Sequence, residues 1–179
     1  MKRLIFLAVL LGITTACTPV RTKTIFDEKI NFNSYKTFCW LQGCEFVYEG
    51  PERHNDSIAL DKIRSALVSE MISRGFIQNE DDPDLLIDFH VIVEEKTAMI
   101  SFHPEYMDAM PGRYNQPVWK EYNYLKGSLL IDIIDRRQSR MIWRSSSEAY
   151  LEAFPIITDK QIERSVEEAL KDFPPEQSN

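Results

Sequence analysis

Pro83-Asp84-Leu85-Leu86-Ile87-Asp88-Phe89-His90-Val91-Ile92-Val93-Glu94-Glu95-Lys96, residues 83–96, decides the fold. Leu85, Ile87, Phe89, Val91 and Val93 alternate with Asp84, Leu86, Asp88, His90, Ile92 and Glu94. A period of two marks a strand with one face on a core. The odd-numbered set is fully apolar and is expected to face inward. Asp88, His90 and Glu94 then share the opposite face.

Upstream of this strand, residues 56–74 read as a helix. Asn55 or Asp56 can cap it. Leu60, Ile63, Leu67 and Met71 recur at three- and four-residue steps, and Ile58, Val68 and Ile72 widen that apolar face. Arg74-Gly75-Phe76 is a stop signal: glycine takes the left-handed conformation and the aromatic folds back on the last turn. Further back, Ser34-Tyr35-Lys36-Thr37-Phe38-Cys39-Trp40-Leu41 is dense in aromatic and β-branched residues and reads as the first strand. Gly43 and Gly50-Pro51 break regular structure after it.

Downstream, strands are expected over 121–135 and 139–151. Asp135-Arg136-Arg137-Gln138-Ser139 joins them, short enough to force an antiparallel pair. Leu129, Ile131, Ile133, Met141, Trp143 and Ala149 fall on one parity; Asp132, Arg144 and Glu148 fall on the other. A closing helix over 159–173 begins with a capping box of Thr158 and Gln161. It turns Ile162, Val166, Ala169, Leu170 and Phe173 to one side and ends at Pro174-Pro175.

The order is strand, helix, strand, strand, strand, helix. A helix between the first two strands implies a parallel crossover. Each helix has a single apolar face, so both should cover the same side of the sheet. The expectation is an α+β two-layer sandwich, a mixed, mostly antiparallel four-stranded sheet with two helices on one face. It forms a single domain over 31–175, with a short tail at 176–179.

The N-terminus reads as an address. Lys2 and Arg3 make a positive n-region, Leu4 to Ile13 an apolar run, and Thr14-Thr15-Ala16 place small residues before Cys17. This predicts a lipoprotein signal peptide over 1–16, a lipid on Cys17 and a polar tether over 17–30. Thr14 stands where Leu, Val or Ile is usual, so ordinary cleavage after Ala16 or retention as an anchor stays open. The apolar run is short for a membrane span, which needs about 20 residues. Thr18, rather than Asp, resembles an outer-membrane sorting signal in a diderm host. The protein is therefore expected at the outer membrane, lipid-anchored and facing the periplasm.

The chain of 179 residues carries a net charge of −7, and losing Lys2 and Arg3 makes it more acidic still. That balance excludes nucleic acid as a partner, since phosphate neutralisation needs basic clusters. It also excludes broad electrostatic adhesion to anionic membranes. Cys39 and Cys44 leave two readings open. A disulfide is permitted outside the cytoplasm; the other reading is a buried Cys39 and an incidental thiol at Cys44. C-x4-C without a second pair is a poor zinc pattern, so no metal site and no cofactor are expected there.

Phe32, Tyr35, Thr37, Phe38 and Trp40 spell F-x-x-Y-x-T-F-x-W, which resembles the opening of bacterial lipoproteins carrying domain of unknown function 4136. The likeness continues through Gly75-Phe76, Pro83-Asp84-Leu85-Leu86-Ile87, Lys126-Gly127-Ser128-Leu129, Ile131-Asp132, Ile142-Trp143-Arg144 and Phe173-Pro174. Ser145 departs from the glycine usual after Trp-Arg, and Cys39 and Cys44 are additions. The resemblance implies an envelope lipoprotein and brings no activity with it.

Three places can carry function. Asp88, His90, Asp132, Arg144 and Glu148 gather on the non-core face of the sheet. Asp132 opposite Arg144 would make a cross-strand ion pair, and His90 between carboxylates would suit acid–base work. The plainer reading is a solvated sheet face. No nucleophile or oxyanion arrangement accompanies it, so no enzyme is expected.

The segment 97–120 is long for a connection and holds Met99, Ile100, Phe102, Tyr106, Met107, Met110, Tyr114 and Trp119. It either packs over the open sheet face, covering Leu130, Ile134 and Ile142, or offers a contact surface through Phe102, Tyr106, Met107, Tyr114 and Trp119. Within it His103, Met107 and Met110 share a helical spacing that suits copper(I), although methionines so spaced more often belong to a core. His54 reads as solvated.

The expected function is a non-enzymatic interaction module held at the membrane by Cys17, with an envelope protein as its partner. The alternative is a carrier for a small ligand or lipid, with its pocket between 97–120 and the sheet. A hydrolase ranks last.

Overall fold

The computed structural model describes residues 20–41, 47–102 and 118–176, with the backbone alone at Phe102 and Val118. The alternation of 83–96 becomes a long strand, β5 (Leu85–Phe102). Leu85, Ile87 and Phe89 are buried on its inner face. Before it come β1 (Arg21–Phe26), β2 (Thr37–Trp40), β3 (Val47–Glu49), helix α1 (Ser57–Ser73) and β4 (Ile77–Gln78). After it come β6 (Val118–Asp135), β7 (Arg140–Glu152) and helix α2 (Asp159–Leu170).

The expected α+β class and the two helices are present, and the sheet is larger than expected. It is mixed and seven-stranded, in the order β1-β7-β6-β5-β2-β4, with β3 also on β5. The β1–β7, β7–β6 and β6–β5 pairings are antiparallel. The β5–β2, β5–β3 and β2–β4 pairings are parallel, so the sheet is not mostly antiparallel by pairing. The parallel β2–β5 pair with α1 between is the expected crossover.

The differences have local causes. Residues 21–26 form an edge strand instead of part of a tether. Thr22 and Thr24 take its half-buried positions, and β-branched hydroxyl residues suit a strand without raising hydropathy. Its charged Arg21 and Lys23 face out, as edge strands commonly arrange. The strand expected over 34–41 is shortened to β2, because Phe32–Ser34 forms a 3-10 turn capped by Asn31. β3 and β4 are too short to show a period.

β5 and β6 pair without a break out to Phe102 and Val118. Residues 97–102 and 118–120 are therefore strand, not loop. Among the described residues nothing covers either face of this outer part, so alternation has nothing to report. Beyond Glu152 of β7, which is level with Tyr124, β5 and β6 continue as a two-stranded ribbon.

A bulge shifts the β6–β7 register. Ile133 pairs with Trp143 and Ile134 with Met141, which leaves Ile142 as the extra residue. Ile142 and Trp143 are consequently both in the core, at 1% and 0% exposure. Met141 turns out to solvent, against its expected parity, and Ile142 belongs to the core instead of the open face.

Both helices are set as their caps dictate. The Asp56 carboxylate accepts from the amides of Ile58 and Ala59. Thr158 and Gln161 form the reciprocal box. At the end of α1, Gly75 has φ of 88°. Its amide bonds Ile72 O while that of Phe76 bonds Met71 O, a Schellman closure. Leu60, Leu67 and Met71 are buried, whereas Ile58 and Ile72 are exposed and do not widen the face. All five apolar positions foreseen for the closing helix are buried, although the helix itself stops at Leu170.

Phe173 is the hub of the core, with ring centroids 5.1 Å from Trp143, 5.5 Å from Phe76 and 6.0 Å from Phe32. Arg74 Nη1 donates to its carbonyl at 2.5 Å, tying the end of α1 to the segment after α2.

Candidate functional site

The open face of the sheet is a set of separate ion pairs rather than one centre. Asp132 and Arg144 are Cα partners across β6 and β7. The guanidinium donates twice, Nε to Oδ1 at 2.6 Å and Nη2 to Oδ2 at 2.5 Å. That hydrogen bond holds the Arg144 pKa above its usual value, against desolvation. His90 Nε2 lies 3.2 Å from Asp88 Oδ2. Glu148 is engaged elsewhere, 2.7 Å from Lys126 Nζ, with Glu94 on the far side of that lysine at 3.8 Å. The five residues do share a face, but Glu148 sits two rows from Arg144, and the carboxylates have separate partners in His90, Arg144 and Lys126.

The ribbon carries exposed apolar groups. Met99 is 57% exposed, Trp119 60%, Ile100 46% and Tyr122 45%. Trp119 pairs with Ser101 and Ile100 with Lys120. Of the surface foreseen in 97–120, Trp119 is thus placed on a strand, and Phe102 closes β5 by its backbone. Tyr106, Met107 and Tyr114, like His103 and Met110 of the copper(I) set, lie outside the described residues. So do Cys17 and Cys44. Cys39 is a buried free thiol, level with Leu86 of β5; the bridge foreseen to Cys44 involves a residue outside the described ones. Among the described residues no group of three or more His, Cys, Asp and Glu side chains is placed to hold a metal ion.

The helix side of the same sheet holds a feature absent from the sequence reading. A cleft of about 400 Å³ lies between the helix N-termini and the sheet. Gly127 of β6 and Ala149 of β7 are Cα partners in its floor, with Ser147 next in line. These small side chains leave the helices unsupported there. A Cβ built on Gly127 meets only Leu151 Cδ1, at 3.6 Å. Val93, Leu125 and Leu129 complete the floor, and Ile63, Ile162 and Val166 form the roof.

Several polar groups around the cleft are paired with one another. Ser147 Oγ and Thr22 Oγ1 are 3.0 Å apart. Lys62 Nζ reaches Asp159 Oδ1 at 2.5 Å and links the first turns of the two helices. Tyr48 donates to Pro51 O at 2.8 Å, and burial followed by the charge of Glu52 pushes its hydroxyl pKa up. His54, expected in solvent, has a side chain only 13% exposed and lies 3.1 Å from Glu95, which also pairs with Arg53. What remains for a ligand is aliphatic wall. None of the described residues of 97–102 or 118–120 lines it, and the rest of that segment lies outside the described residues. Glycine and alanine at core-parity strand positions were the available signal.

Among the described residues no helix is long and apolar enough to cross a membrane. No curated protein matches the chain. A PDZ domain protein from Parabacteroides distasonis is similar in structure, with a TM-score of 0.53 at 16% identity. The match covers 92% of this chain and 39% of that one, so this chain spans well under half of that protein's length. The PelC dodecamer of Paraburkholderia phytofirmans gives 0.48 at 7% identity, over 90% of this chain and 99% of that one. A neuraminyllactose-binding hemagglutinin homolog from Helicobacter pylori gives 0.41 at 12% identity, over 84% and 89%. These likenesses speak to the fold alone. The sequence profile described as Domain of unknown function (DUF4136) matches residues 22–175, and the chain belongs to that family.

Proposed function

We propose that this is a lipid-anchored protein of the bacterial outer membrane, facing the periplasm, that binds rather than catalyses. Its binding site is the cleft between the helix N-termini and the sheet, and its ligand is a small apolar molecule such as an acyl chain. The observation that carries this reading is the floor of Gly127, Ala149 and Ser147 beneath an aliphatic roof. Its volume lies within the range of about 300–1,000 Å³ usual for small-molecule sites. The N-terminal pattern ending in Cys17 supports the anchor. A hydrolase on the open face is disfavoured, because its cations and carboxylates already pair with one another.

A second reading has its own observation. Met99, Ile100, Trp119 and Tyr122 are exposed on the ribbon, a composition suited to contact with an envelope protein. Both readings describe a non-enzymatic interaction module.

Gly127→Val tests the cleft. Valine suits a strand, and its extra carbons occupy the floor. The expected outcome is that a fluorescent fatty acid binds the native protein and not the variant, with the unfolding midpoint of the variant held or raised. Native mass spectrometry of freshly purified protein should also show a bound small molecule. Equal binding to both proteins, or to neither, would sink the cleft as the site.

A further inference from the structure

We infer that the ribbon end of the domain lies against the bilayer that holds the lipid on Cys17, with Trp119, Tyr122, Met99 and Ile100 at the lipid–water interface. This rests on the proposed anchor and names what covers the exposed apolar residues.

The argument is one of reach. β1 begins at Arg21, which is level with Glu148 of β7, itself level with Ser128 of β6. β1 is antiparallel to β7. Going backwards along β1 from Phe26 to Arg21, the chain therefore heads in the direction of Glu152, the ribbon end. The run from Cys17 to Arg21 spans at most about 14 Å when fully extended. A lipid on Cys17 thus fixes the bilayer surface close to the level of Arg21. The opposite end of the domain, at Arg140, lies about 27 Å away from that level by the strand rise, beyond the reach of this lead. In the other direction, the run from Ser128 to Trp119 extends about 30 Å, past the point where the lead must end. So short a lead holds the ribbon near the bilayer and lets it lie along the surface.

The side chains agree with the geometry. Trp119 and Met99 stand on one face of the ribbon, Ile100 and Tyr122 on the other, all roughly half or more exposed. Tryptophan and tyrosine favour the headgroup level, where an apolar ring meets a wet edge. Lys120 beside them can extend its ammonium to the headgroups. Phe154 and Ile156, at 84% and 89% exposure, follow β7 at this same end. The net charge of −7 removes electrostatic adhesion as the cause. The contact is apolar and aromatic. The cleft mouth, bounded by the helix N-termini, faces the same way.

The test uses the full chain purified from membranes, with the lipid on Cys17 verified by mass spectrometry. The protein is reconstituted into phosphatidylethanolamine–phosphatidylglycerol vesicles whose acyl chains carry bromine, a contact quencher of tryptophan. Trp143 is buried and Trp40 is half-buried against the core, so bromine reports Trp119. The expected result is loss of the Trp119 share of emission relative to unbrominated vesicles, and no such loss in Trp119→Phe.

Protein that floats with the vesicles while its emission is unquenched would overturn the orientation and leave the anchor standing. Cys17 without lipid, and protein that does not float, would remove the anchor and the orientation with it. A photocrosslinker at position 119 that captures one envelope protein in intact cells, with no quenching in vesicles, would overturn the bilayer as partner in favour of that protein.

Discussion

At the turn joining β6 to β7, the space beneath the helices is filled by Trp143, Ile142, Phe173 and Phe76. At the other end of the same strands, the corresponding positions hold Gly127, Ala149 and Ser147, and a cleft stands open. The backbone pairing runs unbroken from Gly127 to Ile133 and is bulged at Ile142, inside the hub. The difference lies in side-chain volume and in the bulge that turns both Ile142 and Trp143 inward. Protein interiors pack to a nearly constant density, so large groups draw the helix C-termini onto the sheet, and small ones leave the N-termini bridging a gap. Lys62 and Asp159 then hold the two N-termini together across it. One end is therefore closely packed, and the other is left open.

The largest expected effect sets the two ends against each other. Trp143→Ala removes a fully buried ring from the aromatic hub and should cost about 3–5 kcal/mol in urea unfolding. Leu125→Ala, in the floor of the cleft, enlarges a space already open to water. It should cost about 2 kcal/mol, at the lower limit for such truncations. Equal costs would mean that the cleft end is packed as tightly as the hub, and the contrast would fail.

How much of this was legible follows the same division. The hub was readable, because its residues obey a period: the odd positions of 85–91, the apolar face of the closing helix, and the stop at Gly75-Phe76 all fell where expected. The cross-strand pair of Asp132 with Arg144 was foreseen as one possible register, and it forms because the bulge at Ile142 moves the register set by the turn along by one residue. What escaped depends on partners instead of pattern. β1 is a strand because β7 lies beside it, and its threonines satisfy hydrogen bonds rather than hydropathy. The ribbon is strand because β5 and β6 continue to pair where no other described residue covers them. The bulge at Ile142 flips Met141 without any glycine to announce it. The cleft is a deficit of atoms, and a deficit spread over Gly127, Ala149 and Ser147 has no motif.

Between the two ends lies Ser145, and it sharpens the boundary. Its side chain is fully buried on the helix side, and among the described residues its Oγ has no hydrogen-bond partner. It stands where the lipoproteins that the sequence resembles carry glycine. A buried hydroxyl without a partner costs stability, and removing it relieves that cost. Ser145→Ala should raise the unfolding free energy by about 1 kcal/mol. A loss of stability instead would show that an ordered water from the cleft reaches Ser145 and that the open end extends further under the helices.

The smallest effect tests whether acid loosens the packed end before the cleft end. Asp84, at the entry to β5, accepts from the amides of Lys36 at 2.8 Å and Thr37 at 3.1 Å, and from the Thr37 hydroxyl at 3.1 Å. The Lys36 amide does most to hold its pKa below the usual value of 3.8, and burial opposes it. A carboxyl with a lowered folded pKa contributes stability that is complete above its unfolded value. That contribution disappears as pH falls through the folded one. The native protein should therefore exceed Asp84→Asn in stability near neutral pH, and the gap should narrow as pH drops below about 4. Amide exchange separates the ends. In the native protein at acid pH, protection of the β2 amides should fall before that of Leu125 to Leu129. Among the described residues no carboxylate accepts from the backbone amides of that cleft floor in the way Asp84 does from β2, so simultaneous loss would mean that the two ends unfold as one unit and that their difference in packing has no counterpart in local stability.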